Sequence, residues 1–190
     1  MPQKRKSPED ILAAARDCVL AYGAQRTTLT EVARRAGVSR PTVYNHWPDV
    51  RALLADLITG EMAGIAVQTQ LAGGENGRKR LVQRASQTIA AAIDNPLMLK
   101  ILDSDPELMI PYVFYRMGAS QRAVVAALEA AIADGQADGS IRSGKVDALA
   151  RVVLLAGQSL VLSHRLAADR LGRDELMTEL GLLLDGYLKP

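Results

Sequence analysis

"AGVSRPTVYNHW", Ala36–Trp47, is the stretch from which the rest of this chain is best read. A glycine, a serine and a proline come in quick succession. Arg40, Thr42, Tyr44, Asn45 and His46 follow, interleaved with Val43 and Trp47. Upstream, a helix beginning at Thr28 or Leu29 has Leu29, Val32, Ala33 and Ala36 on its inner face, and Gly37 closes it. Ser39 caps the next helix, and because Pro41 has no N–H the capping bond falls on the Thr42 N–H. Val43 and Trp47 lie four residues apart and face inward, and Pro48 ends the helix. Helices at 29–36 and 39–47, joined through Gly37-Val38, form a helix-turn-helix, with small residues where the two cross. The inner side is pinned, so Arg40, Thr42, Tyr44, Asn45 and His46 face out. Arginine can bond guanine bidentately, threonine can meet a thymine methyl, and asparagine and hydroxyls reach bases or phosphates, so this set suits a DNA major groove.

Working outward, residues 1–6 form a basic arm, and Ser7 caps a first helix with Pro8, Glu9 and Asp10 in its first turn. Ile11, Ala15, Cys18, Val19 and Tyr22 recur at helical spacing up to Gly23. A fourth helix starts near Asp49, with Leu53, Leu54, Leu57 and Ile58 as its apolar stripe. The loop "AGGENG", residues 72–77, precedes helices expected at about 78–94, 96–103, 107–134, 145–168 and 173–188. Pro111 either kinks the long central helix or splits off its first turn. The expectation is an all-α chain, with a helix-turn-helix domain over 1–56 and a larger helical domain over 57–190.

Composition agrees. Alanine, leucine and arginine dominate the 190 residues and 48% are hydrophobic, which favours helix and allows a sizeable core. The net charge of +2 is uneven: +3 over residues 1–56 and −1 beyond. A locally basic surface draws polyanions. Cys18, the only cysteine, excludes an intrachain disulfide and reads as a small buried apolar residue. The charged start lacks the apolar run of a signal peptide, and uninterrupted apolar stretches such as 152–157 are far below the ~20 residues of a membrane span. A cytoplasmic location is expected. An enzyme is not: His46, His164 and Cys18 are scattered, and no metal-ligand spacing, phosphate loop or nucleophile motif occurs. "DSDPE", 103–107, reads as a helix break. No metal or cofactor is expected.

Residues 7–56 resemble the DNA-binding domain of the tetracycline-repressor (TetR) family of bacterial transcription regulators. The resemblance is carried by "ILAAARDCVLAYGAQRTTLTEVARRAGVSRPTVYNHWPDVRALLADLI", and most specifically by Thr27–Leu54. It implies base reading by Arg40, Pro41 and Thr42 behind the Ser39 cap. It further implies phosphate or base contacts from Tyr44, Asn45 and His46, and a phosphate contact from Thr27 or Thr28. Trp47 stands where the family usually has phenylalanine. The family often has a phosphate-contacting lysine where this chain has Val50, and Arg51 is expected to substitute.

"ADGSIRSGKVDALARVVL", 137–154, is similar to the family's approach to its dimerisation helices. The implied homodimer interface takes Val153, Ala156, Gly157, Leu160, Val161 and His164 from one helix and Leu180 and Leu184 from the next, the alternative being burial within one chain. A twofold dimer calls for an inverted-repeat operator in double-stranded DNA. Met98, Leu102, Met109, Tyr112, Phe114, Tyr115 and Met117 cluster in one part of the chain. All of these but Phe114, together with Gln158, are the candidates for a small apolar or amphipathic effector. Two other readings stand beside the ligand-released repressor: a regulator that answers to no effector, and a helical protein-interaction module.

Overall fold

The computed structural model describes residues 6–69 and 75–190, which leaves Lys4 and Arg5 of the basic arm and residues 72–74 of the expected loop outside the described residues. Among the described residues every regular element is helical. In order these are α1 (Pro8–Tyr22), α2 (Leu29–Ala36), α3 (Arg40–Tyr44), α4 (Val50–Gln68), α5 (Gly77–Ile93), α6 (Pro96–Ser104), α7 (Ala119–Ala137), α8 (Val146–Ser163) and α9 (Arg173–Leu188).

The early helices form where their caps place them. Ser7 accepts the Asp10 N–H while Asp10 accepts the Ser7 N–H, closing a capping box with Pro8 in the first turn. Thr28 accepts the Glu31 N–H to start α2. Gly37, at φ 69°, ends α2 in the left-handed conformation that glycine adopts without strain. Asn76 and Asn95 cap α5 and α6.

The central helix expected over 107–134 is not continuous. Pro106–Met109 forms a 3-10 turn and Pro111–Tyr115 a wide π-type turn, and Arg116 is extended. α7 then begins afresh behind Gly118. The chain stays in helical turns through Ile110 and Pro111, and the break before α7 falls at 116–118, where Arg116 is extended.

The chain packs as two compact units, and the division does not follow a single cut near residue 56. The first unit runs to Glu61 and adds Asn95–Arg116. α1 packs on α2, α2 on α3, and α6 on α1. Its core holds Ile11, Cys18, Val19, Val32, Val43, Leu53, Leu97 and Ile101, all fully buried. Burial raises the Cys18 thiol pKa, so this cysteine is an inert packing residue.

The second unit comprises Met62–Asp94 and Met117–Pro190. α5, α7, α8 and α9 surround Leu81, Ile89, Ile132, Ile141, Leu149, Val153, Leu180, Leu184 and Leu188. Two of its glycines permit close approach of helices. A Cβ on Gly157 would stand 2.7 Å from Ile89 Cδ1, and one on Gly77 would stand 2.6 Å from the Gly135 Cα. Near the C-terminal end, Arg142 Nε donates to Tyr187 O and the Arg142 backbone N–H to Leu188 O. The Arg142 guanidinium also lies 4.7 Å from the Tyr187 ring centroid.

Val146–Ala167 is long and apolar enough to cross a bilayer, with mean hydropathy 1.5. Counting only uninterrupted apolar runs misses it, because single polar residues break the run without lowering its average much. One side of this helix is core: Leu149, Ala150, Val153 and Gly157 are buried against its own unit.

Candidate DNA-binding site

The site is built on α3, and α3 is short. The expected helix to Trp47 ends at Tyr44, and the chain carries on through Asn45 and His46 as a turn. Backbone bonds still close it: the Asn45 N–H donates to Pro41 O and the Trp47 N–H to Val43 O. The two inward residues behave as expected. Val43 is fully buried and Trp47 nearly so, and Trp47 Nε1 donates to Asp56 Oδ2 on α4 at 2.8 Å. That bond fixes the end of α3 to a second helix.

At the other end Ser39 caps α3 as the missing proline N–H requires. Its hydroxyl accepts the Thr42 N–H and pairs with the Thr42 hydroxyl at 2.8 Å. Ser39, Arg40, Pro41, Tyr44, Asn45 and His46 are exposed, with Thr42 half-buried. Tyr44 is 53% exposed, a large value for an aromatic side chain. The His46 ring is tilted against that of Trp47, with centroids 5.4 Å apart. Arg40 and Arg51 are exposed and make no ion pair or hydrogen bond among the described residues, so both cations face solvent unneutralised. Arg34 and Arg35 differ: Arg34 is held bidentately by Glu31, and Arg35 reaches Asp17 at 3.4 Å.

The two threonines expected near a phosphate differ in burial. Thr27 is 2% exposed, its hydroxyl donates to Gly23 O, and its N–H donates to Ala24 O. A buried side chain with its donor engaged cannot reach a phosphate, so of the two adjacent threonines Thr28 is the one at the surface. Arg26, which carries no sequence signal of its own, is also exposed in the turn before α2.

Residues 11–57 match the family model for bacterial regulatory proteins of the tetR family. An HTH-type transcriptional regulator of Mycobacterium tuberculosis is 39% identical over 178 residues, which covers 94% of this chain and 92% of the relative. The chain belongs to the TetR family. It is a transcriptional regulator with a helix-turn-helix DNA-binding segment, and not an enzyme. Solved structures share its fold along nearly the whole chain. A protein of unknown function from Rhodococcus sp. RHA1 superposes with a TM-score of 0.71, at 20% identity and full coverage of both chains. A transcriptional regulator FadR from Bacillus subtilis, solved in complex with stearoyl-CoA, superposes with a TM-score of 0.65 at 15% identity, covering 96% of this chain and 100% of that one.

The expected effector residues fall in both units. Of the effector candidates, Met98, Leu102, Met109, Tyr112 and Tyr115 belong to the first unit, Met117 and Gln158 to the second. Met98 is buried at the start of α6, whereas Tyr115 is 81% exposed. The Gln158 side-chain oxygen is taken by the Gln121 amide. Four of the expected dimer residues, Val153, Gly157, Leu180 and Leu184, lie inside their own unit's core. Ala156, Leu160, Val161 and His164 are half-buried, and His164 Nδ1 lies 3.2 Å from Val161 O. The apolar side chains left exposed on the same two helices are instead Val152, Leu155, Leu182 and Leu183. The sequence does not separate these faces, because "VVLLAG", 152–157, is apolar all round. Among the described residues no group of three or more His, Cys, Asp and Glu side chains converges as a metal site.

Proposed function

We propose that this regulator acts as a homodimer on an inverted-repeat operator, and that a small apolar or amphipathic effector releases it. The observation that carries the reading is the outer surface of α3. Arg40 is uncompensated and exposed, and it shares that surface with Tyr44, Asn45 and His46 on a frame fixed by Val43 and the Trp47–Asp56 bond. Base reading is assigned to Arg40, Pro41 and Thr42, and backbone contacts to Thr28, Tyr44, Asn45, His46 and Arg51, with Arg26 added to that set. Arg51 takes the place of a cation at position 50.

The dimer interface is assigned to the outer faces of α8 and α9 around Val152, Leu155, Leu182 and Leu183, which are 45–63% exposed in the single chain. Such an apolar face on long helices is the kind of surface that a twofold partner covers. A covered dimer face also accounts for the membrane-like hydropathy of α8 in a cytoplasmic protein. The effector reading is supported by Leu102, Met109 and Tyr112 in the first unit and by the fold shared with a regulator that holds stearoyl-CoA. Release requires the effector to bind one conformation more tightly than the other.

Selection of bound duplexes from a random DNA pool with the purified protein tests the proposal. An enriched inverted repeat, bound less tightly as salt rises, is the expected result. No enrichment from folded, dimeric protein, both before and after refolding away from any bound ligand, would contradict it.

A further inference from the structure

The segment 95–116 is distant in sequence from the helix-turn-helix yet belongs to the same compact unit. Its helix, α6, is fastened to that unit at both ends by polar side chains. At the start, Asn95 Nδ2 donates to Glu61 Oε2, and the other Glu61 oxygen accepts Arg16 Nε on α1. At the end stands Asp105, 2% exposed. Its Oδ2 accepts the backbone N–H of Gln25 at 3.0 Å, across 80 residues of sequence, and the Ser104 hydroxyl at 2.8 Å. Its Oδ1 is buried with no partner.

Asp105 has local work available that it does not perform. It precedes Pro106 and begins a 3-10 turn, yet its side chain makes no capping bond there. A carboxylate is a costly occupant of a buried position, and here one oxygen is left bare. What it supplies, and an apolar side chain cannot, is an acceptor for Gln25 N–H. Gln25 lies in the turn between α1 and α2. That turn is also closed on itself, by the Thr27 hydroxyl on Gly23 O and the Thr27 N–H on Ala24 O. Gly23, at φ 86°, is pressed against the end of α6: a Cβ there would stand 3.1 Å from Ser104 Oγ. Thr28, immediately after the turn, caps α2, and α2 leads through Gly37 into α3.

We propose that Asp105 is a positioning residue for DNA recognition: its buried carboxylate, at the end of α6, accepts the Gln25 N–H and so fixes the turn from which α2 and the recognition helix project. The inference rests on the DNA-binding reading above.

The test uses the full chain and a duplex recovered by selection. Asp105→Ala, at a temperature where circular dichroism shows it folded, is expected to bind that duplex about tenfold more weakly and to lose hydrogen-exchange protection at the Gln25 amide. Its affinity for unrelated DNA stays unchanged. Ser104→Ala removes the other bond to the same carboxylate, and is expected to bind within about twofold of wild type. Asp105→Asn keeps an oxygen that can accept the Gln25 N–H and is expected to rescue both affinity and protection. Unchanged specific affinity in folded Asp105→Ala would overturn the proposal, as would an equal loss in Ser104→Ala. If Asp105→Ala does not fold, Asp105→Asn decides alone: affinity and Gln25 protection must be kept or lost together, and a change in one without the other overturns the proposal. A wild-type chain that selects no duplex is a different result, because it refutes the DNA-binding reading itself.

Discussion

The outer surfaces of α3 and of α8–α9 are both exposed, but they are exposed in opposite ways. α3 and the turn after it show polar and aromatic side chains, Arg40 and Tyr44 on a helix of five residues and Asn45 and His46 just beyond it, held from behind by Val43 and Trp47. α8 and α9 are long helices that leave Val152, Leu155, Leu182 and Leu183 uncovered while equally apolar neighbours fill the core. A polar exposed surface on a rigid frame can read an edge pattern of donors and acceptors. An apolar exposed surface has no such chemistry and needs another apolar surface. The first is suited to DNA and the second to a second copy of the chain.

The largest effect should come from breaking the second surface. Leu155→Arg or Leu183→Arg is expected to turn the proposed dimer into a monomer by light scattering and to weaken operator binding by about a hundredfold or more, since both half-sites are no longer held by one molecule. A variant that stays dimeric would move the interface elsewhere. Arg40→Ala acts on the first surface alone. It should leave mass and fold untouched and weaken specific binding by about 10- to 100-fold, read by titration against the selected duplex.

Two substitutions probe the frames behind the surfaces. Gly77→Ala forces a methyl to within 2.6 Å of the Gly135 Cα, where backbone cannot yield as a side chain can. Chemical denaturation should show a loss of about 1–3 kcal/mol. Trp47→Phe keeps a buried ring but removes the donor to Asp56, for a loss of about 1 kcal/mol with operator affinity falling further than stability, because the end of α3 is freed. The smallest effect concerns pH. The Ser140 side chain and the Gly77 and Ser140 N–H groups hold the Asp138 carboxyl below its ordinary pKa. A lowered folded value means that this stabilisation is present above the unfolded pKa and is lost as pH falls through the folded one. Asp138→Asn should therefore flatten the stability profile slightly, losing a little stability at neutral pH and almost none at the acid end, where the wild-type carboxyl is already protonated.

The first unit is the more legible in sequence because its signals are local. Ser7, Thr28, Ser39 and Gly37 each act within a few residues, so their spacing alone places helix starts and stops. Thr27 misleads because residue type does not reveal burial: two adjacent threonines look alike until one turns into the core. Asp105 reads as part of an acidic helix break, and its partner, Gln25 N–H, is a backbone group with no signature of its own. In the second unit the helices are legible but their faces are not. Where both sides of a helix are apolar, as around 152–157, periodicity cannot say which side is core, and that is why Val153 and Leu184 read as interface residues from sequence. The break before α7 falls at 116–118 and not at Pro111, although the proline carries the stronger sequence signal.

The central claim is that the exposed face of α3, led by Arg40, reads DNA sequence. The most direct test compares wild type and Arg40→Ala on a selected duplex and on a scrambled duplex of the same length and salt. The account predicts that wild type discriminates strongly between the two and that Arg40→Ala loses most of this discrimination while both proteins bind scrambled DNA alike. Equal discrimination by the two proteins, both folded and dimeric, would contradict it.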